Sequence, residues 1–100
     1  MQKVFADADW YVARSETEQE WRGVLRERPV TLGPASRAAV SLELVVDGRA
    51  PLPVYVANAK SQLTRLIGRR VTIRGKLVDL TNEGYGHELW IGWIRQDDRR

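Results

Sequence analysis

One hundred residues, 43% of them hydrophobic and 29% charged, are enough for one globular domain with a single core. The chain has no cysteine and no apolar run near the ~20 residues of a membrane-spanning helix, which argues against a disulfide framework, a thiolate metal site or a transmembrane helix. The net charge of +3, from sixteen basic and thirteen acidic residues, is far from that of a histone-like polycation, so the placement of the charges matters more than their sum.

Residues 1–19 are read as an N-terminal arm. Met1–Arg14 carries Asp7 and Asp9 and has no apolar stretch of the leader type, which sets the expectation of a cytoplasmic protein. Trp10, Tyr11 and Val12 suggest an extra strand lying on the domain. Ser15-Glu16-Thr17-Glu18 has the spacing of a helix capping box, so a short helix is the alternative.

The core of the domain spans about residues 20–95. Glu20 to Arg28 alternates Trp21, Gly23 and Leu25 with Arg22, Val24 and Arg26, the period of a strand. A loop over Pro29–Ser36 follows. The second strand, Arg37–Asp47, alternates Val40, Leu42, Leu44 and Val46 with Ser41, Glu43, Val45 and Asp47 and runs into the turn signal Asp47-Gly48. The third strand is Leu52–Val56. From Asn58 to Ile67 the period becomes helical, with Leu63, Leu66 and Ile67 on one side, Asn58 as N-cap and Gly68 as the stop. The fourth strand is Arg70–Leu80, with Val71, Ile73, Gly75 and Leu77 on one face. Asn82–Gly86 turns the chain, His87–Arg95 is the fifth strand, and the polar tail Gln96–Arg100 is expected to fray.

Three strands, a helix and two further strands, with a glycine (Gly23) inside the first strand and a hairpin between the second and third, resemble the OB-fold, the oligonucleotide/oligosaccharide-binding superfamily. Val71-Thr72-Ile73-Arg74-Gly75-Lys76-Leu77 resembles a fourth OB strand. The resemblance implies a mainly β, five-stranded Greek-key barrel with the helix between strands three and four and strand neighbours in the order 1-2-3-5-4-1. An SH3-like barrel is the competing architecture, but it does not need the helix. The resemblance is one of layout and implies no particular activity.

That order sorts the surface. Trp21 and Trp93 are expected in the core. Arg22, Arg26 and Arg28 from the first strand and Arg70, Arg74 and Lys76 from the fourth would share a basic patch able to attract phosphate. The competing reading is a solvated face partly neutralised by Glu43. Tyr55 and Trp90 are out of phase with the core and should meet on paired strands, with Tyr85 in one flanking loop and Arg37 at the edge of the other. Such rings can stack bases. Alternatively, Trp10 or Phe5 covers them, because exposed apolar patches usually find a cover.

His87 is the sole histidine, and no Ser/His/Asp arrangement or metal-ligand spacing stands out, so neither a catalytic site nor a metal or cofactor is expected. The function read from the sequence is a non-catalytic binding module, for single-stranded DNA or RNA through the aromatic and basic face. The alternative is a protein-interaction or scaffold module, self-association included, using the same face.

Overall fold

A computed structural model describes residues 1–28, 42–84 and 86–97. Six strands appear: β1 (Gln2–Lys3), β2 (Gln19–Glu27), β3 (Leu42–Val45), β4 (Leu52–Val54), β5 (Arg70–Asp79) and β6 (His87–Gln96). Two short helices, α1 (Asp9–Val12) and α2 (Lys60–Thr64), and a 3-10 turn at Thr81–Glu83 complete the described elements.

Strands β2 to β6 close into a five-stranded barrel, with β1 bonded outside it along β6. The neighbours run β2-β3-β4-β6-β5 and back to β2, all antiparallel except β4 with β6. This is the order expected of an OB-type layout, and α2 falls between its third and fourth barrel strands.

Closure turns on β2. Its first part, Gln19 to Val24, pairs with β5, and its last part, Val24 to Glu27, pairs with β3. Val24 is paired on both sides, opposite Val45 and Arg70. Where the strand changes partners the backbones crowd, and a Cβ on Gly23 would lie 2.2 Å from the Val45 carbonyl oxygen. Only glycine fits there.

The core follows the alternation. Leu25, Leu42, Leu44, Val71, Ile73, Leu89 and Ile91 are buried, with Leu63 of α2 inserted among them. Each such side chain contributes about 1.5–3 kcal/mol. The segment after α2 is tied to β2, since the Gly68 N–H donates to the Leu25 carbonyl at 2.7 Å.

Several expectations need correction. The extra strand is Gln2–Lys3, while Trp10, Tyr11 and Val12 form a helical turn that points Tyr11 into the core. Helix α2 is five residues long, is capped at Ala59 rather than Asn58, and continues as turns to Gly68. Trp93 is not a core residue. A register shift pairs Arg74 with Trp93 but Gly75 with Ile91, so Gly92 is an extra residue and the phase of β6 slips. Ile94 takes the inward position, 1% exposed. Gln96 is still in β6 and Asp97 is bonded to β5, so the tail is anchored further than expected. Val40, together with the rest of residues 29–41, lies outside the described residues.

Replacing Gly23 by alanine should lower folding stability by about 2 kcal/mol or more in urea denaturation. Gly86→Ala, where a Cβ meets nothing within 4 Å, should leave the midpoint nearly unchanged.

Candidate functional site

The aromatic face forms as expected and is then covered. Tyr55 follows β4, and its N–H donates to the Leu89 carbonyl at 3.0 Å, beside Trp90. The two rings lie 5.4 Å apart at 32°. Trp10 from α1 meets both edge-on, at 5.5 Å from Tyr55 and 5.2 Å from Trp90. Phe5 backs Trp10 at 4.9 Å and Tyr55 at 5.8 Å. The Arg14 guanidinium lies 5.7 Å from the Trp90 ring, and the Trp90 indole N–H donates to Glu88 at 2.9 Å.

This cover is built into the barrel. Backbone bonds tie Val4 to Gly92 and Phe5 to Ile91. Phe5 and Tyr11 are buried at 4% and 3% exposure. Uncovering those two side chains would cost on the order of 3–6 kcal/mol. The Tyr11 hydroxyl donates to Glu18 at 2.6 Å in a seat open only because residue 92 is glycine, where a Cβ would lie 2.5 Å from that hydroxyl. Burial, reinforced by Glu18, raises the pKa of this phenol well above its ordinary value. Lys76 donates to the carbonyls of Tyr11 and Arg14 at 2.8 and 2.9 Å, closing the C-terminal end of α1. It is therefore an anchor for the arm rather than part of a phosphate-binding patch. Glu16 accepts from Arg14 at 2.6 Å and from the Asp79 backbone N–H at 3.2 Å. The Arg14 hydrogen bond chiefly lowers the Glu16 pKa to about 2.

The other expected cations separate into different settings. Arg22, Arg70 and Arg74 share the outer face of β2 and β5, opposite Thr72, Val24 and Glu20. Arg22 lies 3.6 Å from Glu20, and Arg70 lies 3.9 Å from Asp47. Arg26 is held across the β2–β3 ladder by Glu43, the acid expected to neutralise this region. Arg28 stands apart at the end of β2, on the wall of a groove.

That groove is an open depression of about 790 Å³ where β4 meets the start of β6. Pro51, Pro53, Leu77 and Leu80 supply apolar surface, and Arg28, Arg49 and His87 supply the basic groups. Arg49 also lies 5.4 Å from the Trp21 ring, whose indole nitrogen is buried without a hydrogen-bond partner among the described residues. His87 sits 3.9 Å from Asp79, whose pKa is lowered by hydrogen bonds from Thr81. Arg49, His87 and the two prolines carry no periodic signal that would group them at one site. The turn at Asp47-Gly48 and the loop after the fourth strand were the available hints. Tyr85 and Arg37 lie outside the described residues.

Among the described residues no three His, Asp or Glu side chains group as a metal site, and no helix is long and apolar enough to cross a membrane. The chain matches no protein-family model, no curated protein and no solved structure.

Because the Glu16 carboxyl is lowered in the folded state, its hold on the arm is fully present above the ordinary glutamate range and is lost as pH falls toward about 2. Amide exchange at Asp79, whose N–H it accepts, should accelerate as pH falls through that window once the intrinsic pH dependence is removed. In Glu16→Gln the same amide should exchange faster at neutral pH, while Ile73 stays protected.

Proposed function

We propose that this chain is a non-catalytic binding module related to the OB-fold proteins, and that it holds a short single-stranded nucleic acid in the groove between β4 and the β5–β6 turn. The observation that carries this reading is the position of the groove on the barrel. OB-type barrels hold extended ligands across the second and third barrel strands, between the loops after the first and fourth. Here Pro51 precedes the third barrel strand and Pro53 lies within it, Arg28 directly follows the first, and His87 stands just beyond the loop after the fourth. A volume near 790 Å³ suits a small or extended ligand. The arginines supply planar donors for phosphate oxygens, and the apolar surface can take a base face. The absence of cysteine is in keeping with a cytoplasmic setting.

The covered Tyr55–Trp90 pair has a structural role in this reading. A protein partner is the second reading, and it draws on α1, where Trp10 and Val12 remain 41% and 62% exposed on one helical turn.

Fluorescence anisotropy with a labelled oligothymidylate at low salt tests the proposal. Binding should weaken with salt, and Arg28→Ala/Arg49→Ala should lower affinity about tenfold and reduce the log–log salt slope by about 1.4 if each arginine meets one phosphate. No binding in the tens of micromolar would end this reading. Dimers in light scattering that are lost on Trp10→Ala/Val12→Ser would favour the protein-partner reading instead.

A further inference from the structure

The outer face of β2, β5 and β6 carries a row of groups drawn from three strands. Arg22 stands opposite Thr72, and Thr72 opposite Arg95, in direct register. Thr72 is on the outer face yet has 0% exposure. What buries its hydroxyl is polar. The hydroxyl hydrogen is shared between the two oxygens of Asp97, at 2.9 and 3.1 Å. Arg95 donates to the Thr72 oxygen at 3.2 Å and, through Nε, to Asp97 at 3.4 Å. Arg22, from the opposite side, completes an open notch of about 360 Å³. The notch already holds an anion, the carboxylate of the chain itself.

The neighbouring row, about 6.6 Å along the strands, pairs Arg74 with Trp93. The slip at Gly92 puts this tryptophan on the outer face, with the Lys3 ammonium 5.8 Å from its ring. An indole between two cations, one row from two guanidinium groups and a hydroxyl, combines the parts of a single-strand contact: a π-face for a base and planar donors for the adjoining phosphate. The outward positions of β2 continue from Arg22 through Arg26 to Arg28 on the groove wall, a span of about 20 Å.

We infer that this face is a second contact for a single-stranded nucleic acid, with a base on Trp93 and its phosphate in the Arg22–Thr72–Arg95 notch, where Asp97 competes for the same donors. The inference rests on the nucleic-acid reading above. Glu20 beside Arg22, Asp47 beside Arg70 and Asp7 beside Lys3 temper the positive charge of the face, so Asp97 is one acid among several, but it is the one seated on the phosphate donors.

The intact chain and labelled oligothymidylate provide the test, with circular dichroism confirming the fold of each variant. Asp97→Asn keeps an acceptor for Thr72 and removes a negative charge, so affinity should rise about fivefold at low salt and the gain should shrink as salt is added. Trp93→Ala should lower affinity about tenfold. Arg22→Ala/Arg95→Ala should lower it by a similar factor, which keeps the test decisive if Trp93→Ala unfolds. Binding unchanged in Asp97→Asn and in Arg22→Ala/Arg95→Ala, yet lost in Arg28→Ala/Arg49→Ala, would overturn this second contact and leave the groove standing. An oligonucleotide that the unaltered chain does not bind at all would overturn both.

Discussion

The double pairing of β2 is the constraint on which the other features depend. One strand must leave β5 and join β3 within a single residue, Val24, and the crowding this causes is relieved only by the missing side chain at Gly23. With that bend in place the sheet curls until β5 and β6 pair along their whole lengths and β4 meets β6 in parallel. The inward positions then converge on Leu63, and the outward positions divide into distinct surfaces. Without the bend, β2 could not carry the sheet round from β5 to β3 into a closed barrel, and neither the groove nor the row through Thr72 would assemble from separated parts of the chain.

The N-terminal arm decides which of those surfaces remains accessible. Phe5 and Trp10 complete a cluster with Tyr55 and Trp90 that would otherwise be an open aromatic platform. The arm is held by a strand pairing, by Lys76 on two carbonyls and by the carboxylates of Glu16 and Glu18. It is part of the core as much as a cover, since Phe5 and Tyr11 are as buried as many barrel residues. The surfaces the arm leaves uncovered are the groove beside β4 and the outer face of β2, β5 and β6.

Alternation alone made most of the barrel legible. Val71 and Ile73 on β5 and Leu42 and Leu44 on β3 are inward because a period of two leaves one apolar face, and the helical spacing near Leu63 marked the plug. The same rule failed on β6. One extra residue at Gly92 reverses the phase, so Trp93 and Ile94 exchange roles; the period does not announce the bulge, and its one mark in the sequence is a glycine inside a strand. It failed again in the arm, where Trp10–Val12 forms a single helical turn without a side-chain cap, a choice made by the burial of Tyr11 rather than by local signals. The candidate site was legible in part. Tyr55 and Trp90 do meet, but what covers them comes from residues some forty to eighty positions away. Lys76 reads as surface charge because a lysine bound to two distant carbonyls looks no different in sequence from one in water.

The most direct measurement is a set of through-space nuclear Overhauser contacts in solution, with Val24 as the origin. The account predicts cross-strand contacts from Val24 to both Val45 and Arg70 in the same folded species. Contacts to one partner alone would mean an open sheet, and would contradict both the barrel and the surfaces derived from it.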